Sequence, residues 1–139
     1  MKQRIFIVDD DESILNIFRL VLSDAGYLID IRKNGDDILN GSFVLPDLFL
    51  LDKQLDGESG IDICTHLKQN PKTKHIPVIM ISASPDIGVL SIAAGAEAYI
   101  EKPFQIEYLK KTIRFHLLNS LSSKESVKSV GEHVEKRLQ

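Results

Sequence analysis

The chain has no tryptophan, a single cysteine among 139 residues and only 6% aromatic residues. The lone thiol, Cys64, has no internal disulfide partner, which excludes a cystine-stapled scaffold and fits a reducing, cytoplasmic setting. An excess of one charge is also missing: 17 basic residues face 20 acidic ones, the formal net charge is −3 and the signs are interspersed. Nucleic-acid binding needs a basic face or stripe against the phosphates, so direct nucleic-acid contact is not expected. Long hydrophobic runs are absent too. The longest weakly polar stretch, residues 87–100, is shorter than the ~18–20 residues of a membrane span and is interrupted by Gly88 and Gly95. Met1-Lys2-Gln3-Arg4 leads straight into a short apolar run rather than a signal-peptide core, so no membrane association is expected.

What is present is the make-up of an ordinary globular domain, 43% hydrophobic and 27% charged. The length suits one compact unit. Its composition shifts after Leu118, where Ser, Lys and Glu dominate, so residues 1–118 are expected to form the domain and 119–139 a polar extension or linker.

Apolar runs and helical periodicities alternate along the domain. Residues 4–8 read as a strand, and Ile14, Leu15, Ile17, Phe18, Val21 and Leu22 recur at helical spacing before Gly26. A strand over 27–31 and a short helix around 37–39 follow. Then come a strand over 47–51, a helix over about 59–69, a strand over 78–81, a weak helix near 87–94, a strand over 98–100 and a helix over about 104–118. Continuous apolar strands, each followed by a helix, indicate a doubly wound, flavodoxin-like α/β fold with a five-stranded parallel sheet covered on both faces. The common strand order for five such units is 2-1-3-4-5, and ligands bind outside the carboxyl ends of the strands where the order reverses, between the first and third.

Those two strands end on acid, the first on Asp9-Asp10-Asp11 and the third on Asp52. Carboxylates crowded at one crevice either raise a pKa or take a cation. An oxygen-only donor set calls for a hard metal, and Mg2+ suits it because it accepts one or two carboxylates, several waters and a phosphoryl oxygen. Asp11 and Glu12 read instead as the acidic start of a helix. Ser82 and Lys102-Pro103 end the fourth and fifth strands on the same edge. A hydroxyl and an ammonium are what phosphoryl transfer to a carboxylate needs beside a metal.

The runs Ile7-Val8-Asp9-Asp10-Asp11, Leu51-Asp52 with Gly60 eight residues on, Ile81-Ser82-Ala83 and Tyr99-Ile100-Glu101-Lys102-Pro103-Phe104 resemble the receiver domain of bacterial two-component response regulators. The resemblance covers about residues 2–118. It implies that Asp52 accepts a phosphoryl group from a sensor histidine kinase or a histidine phosphotransfer protein, with Mg2+ held by Asp9, Asp10, Asp52 and the backbone carbonyl of Gln54. It further implies that Ser82 captures phosphoryl oxygens, that Lys102 pairs with them ahead of a cis proline bond, and that Tyr99 is an aromatic switch residue whose ring turns inward when Ser82 moves. The output would be a shape change that alters partner binding, including a homodimer through the face of the fourth and fifth helices.

Several positions depart from the family pattern. Asp56 replaces a common proline four residues after Asp52, and Lys53 follows the acceptor directly, so the loop is expected to be looser and more charged. The interval from Ser82 to Tyr99 is two residues short, with Pro85 and Gly88 where the fourth helix begins. That helix is unusually apolar, and Ile87, Val89, Leu90, Ile92, Ala93 and Ala94 exceed one buried face, leaving deep packing and an exposed contact patch both open. Cys64 falls in register with Ile61 and Leu67 and reads as a core thiol, while His66, His75, His116 and His133 lack ligand spacing. Val127, Val130, Val134 and Leu138 sketch a helical stripe broken by Gly131, too short for a coiled coil.

Four functions compete. A phosphorylatable receiver that is not a turnover enzyme comes first, either as a whole single-domain regulator or as a piece of a larger regulator or hybrid kinase; the extension is too short to hold an output domain. An aspartyl-phosphate phosphatase would need a second acid two residues after the nucleophile, where Gln54 stands. A flavin carrier would need amide-rich glycine, serine or threonine where Asp9-Asp10-Asp11 would repel its phosphate. A scaffold that is never phosphorylated has no use for the full set of acids, hydroxyl and lysine.

Overall fold

A computed structural model describes residues 2–121. The main sheet holds β1 (Arg4–Val8), β2 (Leu28–Arg32), β3 (Leu48–Asp52), β6 (Val78–Ser82) and β7 (Ala98–Glu101). Its order is β2-β1-β3-β6-β7, all pairs parallel, which is the expected 2-1-3-4-5 arrangement of the five long strands. Between β3 and β6 the chain adds a small antiparallel hairpin, β4 (Gln54–Leu55) with β5 (Glu58–Ser59). The helices are α1 (Glu12–Asp24), α2 (Asp36–Asn40), α3 (Gly60–Gln69), α4 (Ile87–Ala93) and α5, helical over residues 106–121 and so past the expected end at 118. The stripe of Val127, Val130, Val134 and Leu138, and His133, lie outside the described residues.

Strand alternation divides the core into two layers. Phe6 and Val8, Phe49 and Leu51, and Val78 and Met80 face α2, α3 and α4, where Ile38, Ile63, Cys64, Leu67, Ile87 and Ala94 cover them. The alternate residues Ile5 and Ile7, Leu48 and Leu50, and Ile79 and Ile81 face Leu15, Phe18 and Leu22 of α1 and Leu109, Ile113 and Leu117 of α5. Burial on both faces explains why these strands read as continuous apolar runs. Each fully buried Leu, Ile or Phe contributes about 1.5–3 kcal/mol, so the centre of the sheet is the rigid base from which the strand-end residues project.

Local chemistry sets the helix ends. Asp11 caps α1, its Oδ1 accepting from the Ser13 and Ile14 backbone N–H groups at 2.9 and 3.4 Å, so its carboxylate serves the helix start as expected. The segment after Asp52 is tighter than expected: Asp56 and Gly57 turn the β4–β5 hairpin, with Gly57 at φ 77°, a conformation that a residue with a Cβ rarely adopts. Glu58 then reaches across to accept from the Gly35 backbone N–H at the start of α2.

The fourth helix resolves its excess of apolar residues by splitting them. Ile87, Ser91 and Ala94 turn inward, while Val89 and Ile92 are 76% and 69% exposed. Gly88 faces Tyr99, and a Cβ there would come within 2.9 Å of the tyrosine ring.

Candidate functional site

The carboxyl ends of β1 and β3 lie side by side in the sheet, with Val8 paired to Leu51. The next residues, Asp9 and Asp52, are therefore delivered to one crevice, and both are buried. Each can offer an oxygen, together with exposed Asp10, such that the three ligand atoms lie within 4.8 Å of one another. Asp9 is fixed from its own chain, accepting at Oδ1 from the Asp11 backbone N–H at 2.9 Å. Its other oxygen faces Lys102, whose Nζ lies 3.3 Å from Asp9 Oδ2 and 3.6 Å from Asp52 Oδ2. The Lys102-Pro103 bond that follows β7 is cis.

Burial pushes the Asp52 carboxyl up to about 6, and the Asp9 charge beside it adds to the rise. Lys102 and a hydrogen bond from the Gln54 backbone N–H pull in the opposite direction without cancelling it. Three acids against one ammonium leave the crevice short of positive charge. The donor set is carboxylate oxygen only, which is what a hard divalent cation takes and what zinc or copper sites, built on nitrogen and sulfur, do not use.

Ser82 ends β6 and is buried, its Oγ accepting from the Ser84 backbone N–H at 3.0 Å. One residue earlier, Ile81 pairs with Asp52, so the hydroxyl leaves the sheet one step beyond Asp52. Gln54 stands in β4, two residues past Asp52. Tyr99, in contrast, lies outside this cluster. Its ring rests over Gly88 on the α4 side and is 39% exposed, so the switch residue predicted from the sequence occupies the outward position.

Two neighbours were not foreseen. Lys53 makes an ion pair with Asp86 at 2.7 Å, joining the residue after Asp52 to the residue that precedes α4. An apolar groove of about 460 Å³ opens beside Lys102, lined by Ile14, Ile17 and Phe18 of α1 and by Phe104 and Ile106 at the start of α5. In the sequence Ile17 is one residue of the apolar α1 stripe and gave no sign of that groove, and nothing local could pair Lys53 with a residue 33 positions away. Cys64 is fully buried and its thiol is raised to about 11 by that burial, in keeping with a core role.

Comparison with known proteins adds three findings. The family model described as "Response regulator receiver domain" matches residues 5–114. Among curated relatives, the phosphate regulon transcriptional regulatory protein PhoB of Rhizobium meliloti is 34% identical over 117 residues, covering 82% of this chain and 52% of that protein. The DNA-binding response regulator MtrA of Mycobacterium tuberculosis is 37% identical over 120 residues, 84% of this chain and 51% of that protein. The chain thus spans about half the length of these relatives. Among solved structures, a response regulator receiver domain protein from Methanospirillum hungatei superposes with a TM-score of 0.78 at 29% identity, covering 88% of this chain and 99% of that one. NtrX from Brucella abortus gives a TM-score of 0.83 at 29% identity over 92% of this chain and 29% of its own.

Proposed function

Since the chain belongs to the response regulator receiver family, we propose that Asp52 is its phosphoryl acceptor and that the domain signals by changing shape rather than by releasing a product. The observation that carries this reading is the convergence of Asp9, Asp10 and Asp52 at one sheet edge with Lys102 Nζ bridging two of them. An Asp52 carboxylate oxygen attacks the donor phosphorus as the bond from phosphorus to the partner's histidine nitrogen, or to the leaving oxygen of a small donor, breaks. Lys102 offsets charge on the phosphoryl oxygens, and the Ser82 hydroxyl donates to one of them. Asp9, Asp10, Asp52 and the Gln54 carbonyl would hold Mg2+, which when bound neutralises the crowded oxygens. Asp52 must be ionised to attack.

Gln54, two residues past Asp52, offers no acid to assist repeated turnover, so the domain is proposed not to be a turnover enzyme. The proposed donor is a histidine kinase or phosphotransfer protein, and the apolar groove beside Lys102 is proposed as the place where it docks. The face formed by α4, β7 and α5, with exposed Val89, Ile92, Tyr99 and Tyr108, is proposed as the output surface, including a homodimer contact. Among the described residues no helix is long and apolar enough to cross a membrane, and a cytoplasmic place is proposed from the family's role.

Incubation with acetyl phosphate and magnesium, followed by intact mass measurement, tests the acceptor. Wild type should gain one phosphoryl group and Asp52→Asn none; no gain in wild type, or an equal gain in both, removes Asp52.

A further inference from the structure

Lys53 and Asp86 form an ion pair on the rim of the site that neither the acid cluster nor the core requires. Alternation along β3 turns Lys53 away from the carboxylates and toward the face that α4 covers. Its Nζ lies 2.7 Å from Asp86 Oδ1, with the lysine side chain 14% exposed and the aspartate 58%. The lysine end is a fixed point: the Lys53 backbone N–H donates to Ile81 O at 2.9 Å, and its carbonyl accepts from the Gly60 N–H at 2.7 Å.

The aspartate end belongs to a short segment in which Ala83, Pro85 and Asp86 are exposed. Asp86 closes the segment 83–86, which leaves Ser82 and leads into α4, and no side chain caps that helix. Ser91 on its inner face is, among the described residues, a buried hydroxyl without a hydrogen-bond partner, a placement that weakens the docking of α4. The helix has only seven residues, and its outer face carries exposed Val89 and Ile92. Ile87, just after Asp86, is fully buried, so the segment 83–86 hangs between that residue and Ser82, and the ion pair is what ties its end to the residue after β3.

We infer that Lys53 and Asp86 are positioning residues that clamp the Ser82 loop and the start of α4 in the resting place, against the movement that brings the Ser82 hydroxyl to the phosphoryl group. This rests on the reading of Asp52 as acceptor. In the resting structure Ser82 Oγ is engaged by the Ser84 N–H, and a movement of the loop toward Asp52 that carries Asp86 along strains its ion pair with the anchored lysine. Breaking the pair lowers the cost of that movement. Phosphorylation, which captures the closed loop, then becomes faster.

The test is the initial rate of mass gain with acetyl phosphate and magnesium for wild type, Asp86→Asn, Lys53→Met, the double variant and Asp86→Glu. Each single neutralisation should raise the rate about two- to fivefold, the range that a partly exposed ion pair supplies. The double variant should match the singles rather than multiply them, and Asp86→Glu, which keeps the charge, should stay near wild type. Rates in the singles equal to or below wild type, or a double variant at the product of the two, overturn the clamp. Asp86 is exposed, so Asp86→Asn keeps the fold, as its circular dichroism should confirm, and carries the test even if Lys53→Met proves unstable. Failure of wild type to gain mass overturns the acceptor reading itself, whereas a normal wild-type gain with unchanged variants overturns only the clamp.

Discussion

Asp52 is the residue at which the demands of stability and chemistry conflict. It closes a strand in which every residue is buried, and burial with Asp9 alongside pushes its carboxyl from an ordinary 3.8 to about 6. Between about pH 4 and pH 6 the folded protein therefore keeps a proton that the unfolded chain has released. That difference favours folding at low pH and is lost as pH rises through about 6. In metal-free protein at pH 7, Asp52→Asn should accordingly be more stable than wild type, by about 1–2 kcal/mol once the shift is discounted for water reaching the crevice. Urea denaturation with a chelator at several pH values checks this. The gain should shrink toward pH 4, and a gain that is constant with pH would remove the electrostatic cause.

The neighbouring acids were legible in the sequence to different depths. Asp9, Asp10 and Asp52 stand at the ends of apolar runs, and the parallel arrangement carries such ends to one edge. Asp11 could be set apart from them because a helix periodicity starts directly after it, and its carboxylate does cap α1. Lys102 pairs with Asp9 across 93 positions; the family resemblance gave it phosphoryl oxygens as partners, and no local pattern contains the contact with Asp9.

At the scale of elements, five long strands and the five helices follow from where apolar residues recur, with ends shifted by one to three residues. The β4–β5 hairpin was missed because its strands are two residues each, too short to show a period. Asp56-Gly57 is its only local mark, and the expected looser loop is instead a closed turn that delivers Gly60 against Asp52. A Cβ at Gly60 would stand 1.9 Å from the Asp52 backbone oxygen and 3.0 Å from Lys53 Cα, both main-chain atoms with little freedom to yield. Gly60→Ala should therefore destabilise the domain by about 1–3 kcal/mol, as overpacking does. A denaturation midpoint equal to that of wild type would show that α3 can retreat from β3 without cost.

The sidedness of α4 was not readable from its sequence. Its apolar residues outnumber one face, so periodicity alone left packing and exposure equally open. Only the position of β6 and β7 decides that Ile87, Ser91 and Ala94 turn in and that Gly88 yields room to the Tyr99 ring.

For the whole molecule, the proposed magnesium site would make folding and metal binding one equilibrium. A ligand that binds only the folded state stabilises it by mass action, so magnesium should raise the melting temperature in proportion to the logarithm of its concentration above the dissociation constant. Asp10→Ala should weaken that response by about tenfold or more in magnesium affinity, the scale of losing a metal-site group. A melting curve that magnesium does not move, or an unchanged response in Asp10→Ala, counts against the acid pair. The exposed Val89, Ile92, Tyr99 and Tyr108 set a second expectation at this scale. Sedimentation should show a larger species when a phosphoryl mimic and magnesium are added, and a monomer under both conditions would rule out a dimer switch through this face.

The sequence by itself determined the alternation of strands and helices, the parallel sheet and the row of acids at its edge, because each depends on the period of apolar residues within a dozen positions. Tertiary structure alone decided which charges meet. Lys102 came to bridge Asp9 and Asp52, and Lys53 turned aside to Asp86, because a sheet brings distant strand ends within a few ångströms while alternation sends consecutive side chains to opposite faces. Coulombic partnership falls off with distance in space and takes no account of distance along the chain.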